Sequence, residues 1–215
     1  MESALHDHPT RLGILLSGRG SNFLAIAKNI REGRLPNVEI AIVISNIADA
    51  PGIVAARELG LATAVHVSKG RPRAEHDADV AATLAAHAVD LVILAGYMRL
   101  LSPEFIHVFP NRILNIHPSL LPAFPGLDAQ TQAFEYGVKV AGCTVHFVDE
   151  HLDHGVIVLQ RAIPVPDTEP GTDGAHLLAE LILAEEHQAY SEAIARVASG
   201  QYEIQGRRYV PKPSQ

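Results

Sequence analysis

Asn115 and His117 stand two apart in "NIHPSLLPAFPG" (115–126), directly after the apolar stretch "RIL", and Pro118, Pro122 and Pro125 follow them. If that stretch is a strand, both side chains project to the same side at its end. A neutral imidazole exchanges protons near pH 7, and an amide can donate to an oxygen that gains negative charge in a tetrahedral intermediate. Such a pair needs a carboxylate to hold or charge the imidazole. The turn "DEHLDHG" (149–155) offers Asp149 or Asp153, provided that its flanking strands lie beside the one that ends at His117. The prolines limit how far the chain after His117 can wander.

A second chemical signal is "SGRGSN" (17–22), which follows an apolar run and opens a helical stretch. Gly18 and Gly20 permit positive φ and close approach, Ser21 and Asn22 add side-chain donors and a cap, and backbone N–H groups at the helix start favour an anion, most simply a phosphate. A Walker loop would need Gly-Lys-Ser/Thr after Gly20, and a dinucleotide fingerprint would need a small residue at Phe23 and an acid near Ser45 and Asn46. Neither is present. His146, His151 and His154 with Asp149 or Asp153 could supply metal ligands, but their spacing matches no compact metal signature, and surface histidines are the simpler reading. No Gly-x-Ser-x-Gly elbow occurs, Ser119 follows a proline, and the single cysteine, Cys143, lies in the apolar "VAGCTVHF" as an inert strand thiol.

These residues need a scaffold. Arg11–Ser17, Val38–Ser45, Leu91–Gly96 and Arg112–His117 are short apolar runs typical of strands buried on both faces. Asn22–Gly33, Pro51–Gly60 and Ala74–His87 between them have helical spacing, the first two closed by glycine. The alternation predicts an α/β fold, with a mostly parallel twisted sheet and helices on both faces. "CTVHFVD" (143–149) and "GVIVLQRAIPV" (155–165) predict neighbouring antiparallel strands. A long helix over about 172–198 follows, then a hairpin and tail over 201–215. Residues 1–10 are expected to be a flexible segment, and 11–200 a single domain. Ligands in such sheets bind beyond the carboxyl ends of the strands, so "SGRGSN", "SN" (45–46), "GYMRLLSP" (96–103) and "NIHPSLLP" (115–122) should converge on one crevice.

Composition sets the limits. Hydrophobic residues form 47% and charged residues 19% of 215, enough to build a core. The net charge of −7 argues against bulk nucleic-acid binding while leaving room for a small anionic ligand. No leader and no apolar run of membrane-spanning length is read, and one cysteine excludes an internal disulfide, so a reducing cytoplasm is expected.

Taken together, "SGRGSNF", "SNIADAPGIVAARELG", "AGYMRLLSPEF", "RILNIHPSLLPAFPGLDAQTQA", "AGCTVHFVDEHLDHGVIVLQRAIPV" and "EEHQAY", in this order and spacing, resemble the folate-dependent glycinamide ribonucleotide formyltransferases of purine synthesis. The resemblance covers about 11–190 and implies a Rossmann-like formyltransferase fold with an antiparallel C-terminal part. It implies transfer of the formyl group of 10-formyltetrahydrofolate, as co-substrate, to the amine of 5′-phosphoribosylglycinamide (GAR), without metal or covalent enzyme intermediate. It selects Asp153 over Asp149 and makes Asn115, His117 and Asp153 the catalytic trio. GAR contacts are carried to Gly20, Ser21, Asn22 and Glu186, and folate contacts to Arg73, Met98, Arg99, Leu100, Leu101, Asn115, Asp149 and Asp153. Arg73 and Arg99 suit folate carboxylates. A cis Leu121–Pro122 bond is also implied, and a homodimer is compatible with the resemblance. Ala123 stands where relatives often carry lysine, and Arg19 where many have asparagine.

Two related formyl-folate enzymes fit less well. A methionyl-tRNA formyltransferase is expected to need a further carboxyl-terminal domain and a basic surface, and a formyltetrahydrofolate deformylase a further amino-terminal domain. A non-catalytic phosphate-binding module would keep residues 18–22 but has no use for the trio.

Overall fold

The computed structural model describes residues 8–168 and 173–213. Its elements run β1 (Thr10–Leu16), α1 (Ser21–Arg31), β2 (Val38–Ser45), α2 (Pro51–Glu58), β3 (Thr63–Val65), α3 (Arg73–Ala86), β4 (Leu91–Leu94), α4 (Pro103–Val108), β5 (Ile113–His117), α5 (Ala129–Tyr136), β6 (Val140–Phe147), β7 (Ile157–Pro164), α6 (Gly174–Ala198), β8 (Tyr202–Gln205) and β9 (Arg208–Pro211). One sheet holds the strands in the order β3-β2-β1-β4-β5-β6-β7-β9-β8. The first five pair in parallel, and β5, β6 and β7 pair antiparallel, as the texture of the sequence predicts.

Alternation along the strands explains the two layers. Leu12, Ile14 and Leu16 of β1, Leu91 and Ile93 of β4, and Leu114 and Ile116 of β5 belong to a core with Phe23 and Ile26 of α1, Ile53 of α2 and Leu178, Ile182 and Ile194 of α6. The opposite face contributes Leu15, Ile42, Ile44, Val92 and Ile113 to a second core with Val80 and Leu84 of α3 and Phe105 and Phe109 of the α4 region. Beyond Ile113 this second face turns polar: Asn115, His117 and, across the β5–β6 pairing, His146 and Thr144 share its parity. The sequence change from apolar to polar on one strand face is what leaves room for a site.

Tyr190 of α6 is fully buried, with its hydroxyl 2.9 Å from the carbonyl oxygens of both Leu94 and Leu114. It bridges β4 and β5 immediately before Asn115. Burial pushes the Tyr190 hydroxyl well above its ordinary range, so it stays a donor.

Three elements have no counterpart in the sequence reading: β3 has only three residues, and α4 and α5 are short at six and eight. Such lengths carry too few periods of either pattern to stand out. The C-terminal hairpin forms as expected, and β9 joins it to the main sheet beside β7. Most of the expected N-terminal segment (1–7), position 172 at the expected start of the long helix, and 214–215 lie outside the described residues, while Thr10 already belongs to β1. Among the described residues no helix is long and apolar enough to cross a membrane.

Candidate active site

The parallel order reverses between β1 and β4, and the loops beyond their carboxyl ends stand side by side there. A cavity of about 260 Å³ opens at this point, lined by residues 17–22 together with Ile47, Ala95, Gly96 and Met98. Ser17 ties its walls: its hydroxyl donates to Asn46 Oδ1 at 2.6 Å and accepts from Met98 N–H at 2.9 Å, while Asn46 Nδ2 donates to Ser68 at 3.1 Å. Three of the four expected stretches therefore meet through hydrogen bonds at Ser17.

The glycine loop differs from expectation in one respect. Gly20 is the residue before α1, in the left-handed region at φ 70°, and no side chain caps the helix. Asn22 instead turns inward and donates to Glu186 Oε2 at 2.8 Å, because α6 brings that carboxylate against the helix start. Burial raises Glu186 above the usual carboxylate range, partly offset by this bond. Among the described residues Asn22 Oδ1 has no hydrogen-bond partner although it is buried, and uncapped N–H groups at the start of α1 remain available to an anion.

At the end of β5, His117 is 5% exposed, with Nε2 2.8 Å from the Phe124 carbonyl and Nδ1 3.5 Å from Asp153 Oδ2. Both neighbours are acceptors, so a ring carrying two protons has a partner for each. Asp153 Oδ2 also accepts from Gly126 N–H at 2.8 Å, which links the β6–β7 turn to the loop after β5. The geometry thus distinguishes the two aspartates. Asp149 accepts from His151 N–H at 2.9 Å and pairs with His154 Nδ1 at 3.0 Å. Burial opposes ionisation of Asp149, but these bonds more than offset it and hold its carboxyl below the usual range.

His146 is the site residue that sequence reasoning missed, having named it only as a candidate metal ligand. It is 2% exposed, which excludes surface decoration for this histidine. Nδ1 lies 2.8 Å from its neighbour's carbonyl at Phe147 and must donate to it, leaving Nε2 to accept from Asn115 Nδ2 at 3.3 Å. Burial pushes His146 below its ordinary 6.5, more than the Phe147 bond and the Asp153 charge raise it. A neutral His146 thereby fixes which end of the Asn115 amide presents N–H groups. The available signal was parity, since His146 and Thr144 occupy alternate positions in "CTVHF".

The sign of the resulting pH effect follows directly. Above 6.5 both folded and unfolded chains hold His146 neutral. Below it the unfolded chain takes up a proton that the native one resists, so this residue's contribution to stability falls as pH drops from 6.5 toward its lower native value. Urea midpoints for the parent should therefore decline between about pH 7 and 5.5, with a shallower decline in His146→Gln.

The proline-rich loop is pinned by more than its prolines. Thr144 Oγ1 donates to the Ser119 carbonyl at 2.7 Å and accepts from Leu121 N–H at 3.0 Å, and Gln160 Nε2 donates to the Leu121 carbonyl at 2.9 Å. The Leu121–Pro122 bond is cis. The other arm depends on Gly155: a Cβ there would overlap the Phe147 carbonyl oxygen. Gly155→Ala is expected to destabilise the fold by about 3 kcal/mol, read as a lower urea midpoint at unchanged m-value.

The remaining expected contacts are distributed unevenly. Met98 is 74% and Leu100 55% exposed beside the cavity rim, whereas Arg99 is drawn inward toward Asp77, 3.9 Å from its carboxylate. Leu101 is half-buried against the second core, and Arg73 is exposed on the first turn of α3. Arg19 lines the cavity, and Ala123 accepts from Ser119 Oγ through its carbonyl, a contact indifferent to side-chain type. Asp149, His151 and His154 offer ligand atoms within 4.8 Å of one another, but the Arg207 guanidinium lies 3.2 Å from His154 Nε2 and repels a cation there. Cys143 is fully buried, and burial pushes its thiol up to about 12, in keeping with an inert side chain.

Residues 10–194 match the family described as formyl transferase. The chain is 44% identical over 156 residues to the phosphoribosylglycinamide formyltransferase of Haemophilus influenzae, covering 72% of this chain and 73% of that one. It is 42% identical over 197 residues to the human trifunctional purine biosynthetic protein adenosine-3, covering 90% of this chain; it spans only 19% of that protein's length. The crystal structure of glycinamide ribonucleotide transformylase 1 from Symbiobacterium toebii superposes with a TM-score of 0.90 at 51% identity, covering 97% of this chain and 96% of that one. A formyltetrahydrofolate deformylase from Pseudomonas syringae shares the fold, with a TM-score of 0.86, at 22% identity over 96% of this chain and 67% of its own.

Proposed function

Because the chain belongs to the formyl transferase family, we propose that it transfers the formyl group of 10-formyltetrahydrofolate to the amine of GAR in purine synthesis, yielding formyl-GAR and tetrahydrofolate. The observation that carries the mechanism is the convergence of Asn115, His117 and Asp153 from two elements distant in sequence, with Asp153 Oδ2 3.5 Å from His117 Nδ1.

The GAR amine attacks the formyl carbon, forming a C–N bond and a tetrahedral intermediate with an oxyanion. Asn115, its amide oriented by His146, donates one N–H to that oxygen, and protonated His117 supplies the second donor. His117 Nε2 is engaged with the Phe124 carbonyl in this structure, so its N–H reaches the oxyanion by exchanging that carbonyl for substrate. Asp153 supports the imidazolium and, through water, moves the proton lost by the amine to N10 as the C–N10 bond breaks. No step is routed through a metal. All these residues come from one chain, and the chemistry needs no second copy.

The GAR phosphate is assigned to the cavity at Gly20, Ser21 and Asn22, and its ribose to Glu186. The uncapped N–H groups of α1 and the Asn22–Glu186 bond support this placement. Met98, Leu100, Leu101 and Asp149 are assigned to the folate, supported by the exposure of the first two. Arg73 is assigned to a folate carboxylate, while Arg99 lines that side with its guanidinium turned to Asp77.

The test mixes purified protein, chelator and 10-formyltetrahydrofolate with and without GAR. Tetrahydrofolate that forms only with GAR supports transfer. Formate released without GAR would mean a deformylase, and no turnover in either mixture would mean a binding module.

A further inference from the structure

Asp77 lies on α3, one turn beyond Arg73, and is only 1% exposed although it bears a carboxylate. A charge taken out of water needs several strong partners. Asp77 finds them in the folate-side loop and its own helix. Oδ2 accepts from Ser102 N–H at 2.7 Å, Oδ1 lies 3.1 Å from His76 Nδ1, and Arg99 Nε stands 3.9 Å from Oδ1. His76 is itself buried and anchored at its other nitrogen, 2.8 Å from the His66 carbonyl. Two buried atoms of the loop, the Tyr97 hydroxyl and Arg99 Nε, have no hydrogen-bond partner among the described residues. The Asp77 charge also helps burial to raise the Tyr97 hydroxyl, so these two groups share its field.

The loop therefore alternates. Tyr97 and Arg99 turn inward and Ser102 gives its backbone N–H to the carboxylate while its side chain caps α4, whereas Met98 and Leu100 face outward, 74% and 55% exposed. An apolar residue held outward by its anchored neighbours is a contact surface prepared in advance, and preorganisation lowers the entropy lost on binding.

We propose that Asp77 is a positioning residue for the formyl donor, holding loop 97–102 through Ser102 and Arg99 so that Met98 and Leu100 meet the folate. This rests on the functional reading above. Asp77 touches neither substrate and no reacting atom. Its loss therefore weakens donor binding and leaves GAR binding and chemistry at saturation in place.

The experiment is Asp77→Asn, with KM for 10-formyltetrahydrofolate and for GAR measured separately and tetrahydrofolate binding followed by calorimetry. Loss of a charge-assisted anchor predicts a donor KM higher by about tenfold, a matching loss of tetrahydrofolate affinity, and GAR KM and kcat within about twofold of the parent. In Arg99→Gln the further effect of Asp77→Asn should shrink, because the two residues act as a unit. Unchanged donor KM, or equal losses for both substrates, overturns the proposal. Should the parent lack transferase activity, the functional reading fails on its own, and calorimetry with tetrahydrofolate still reads the Asp77 effect. Should Asp77→Asn not fold, amide exchange in the parent decides: the Ser102 N–H should exchange as slowly as the amides of β4, and rapid exchange overturns the proposal.

Discussion

His117→Ala is expected to lower turnover by about 10³-fold at saturating substrates while GAR binds as in the parent. The variant removes both the oxyanion donor and the proton that makes it strong, and single losses of this kind cost roughly 10²–10⁴ in rate. GAR affinity is spared because its assigned contacts stand on β1–α1 and α6, at Gly20, Ser21, Asn22 and Glu186, not on β5. The Phe124 carbonyl loses one of its two contacts and keeps Ser119 Oγ at 3.2 Å, so some stability is lost as well, about 1 kcal/mol. Single-turnover rates with saturating substrates, calorimetric GAR binding and a thermal melt separate these effects. A rate within tenfold of the parent would remove His117 from the mechanism.

Asp153→Asn is expected to cost about 10²–10³ in turnover with little change in stability. Asp153 sits at φ 50°, a left-handed conformation that asparagine tolerates well, and the amide oxygen can still accept from Gly126 N–H. What disappears is the negative charge facing His117 Nδ1 and the acceptor for the amine proton. The imidazolium loses its counter-charge and proton transfer loses its relay. kcat should fall while GAR binding and the urea midpoint hold. Near-normal kcat would leave Asp153 a turn residue that anchors Gly126 and nothing more.

The two variants probe different depths of what the sequence contains. Asn115 and His117 were legible because parity along one strand is a local property: alternate residues share a face wherever the strand lies. In the folded sheet the same rule sorts the apolar residues of β1, β4 and β5 into two layers, whereas the parallel sheet is predicted by the alternation of apolar runs with helical stretches. The glycine loop was legible for a similar reason, although its cap was not. Asn22 abandons the helix end for Glu186, 164 positions away, and no local pattern announces a partner at that distance.

Local pattern by itself determined the α/β alternation, the antiparallel turn of the C-terminal part, and the residue types able to do acid–base and oxyanion chemistry. Only the tertiary structure decided which of them meet. Residues alone left Asp149 and Asp153 open until the family resemblance chose between them. Their geometry depends on how the β6–β7 turn folds over the end of β5, where Asp153 faces His117 and Asp149 turns to His151 and His154. His146 became the orienting partner of Asn115 through a cross-strand register that aligns residues 31 apart. The physical reason is one of range. Backbone periodicity acts over a few residues and is written along the chain, whereas burial, register and charge pairing arise only when distant segments exclude water from the same place.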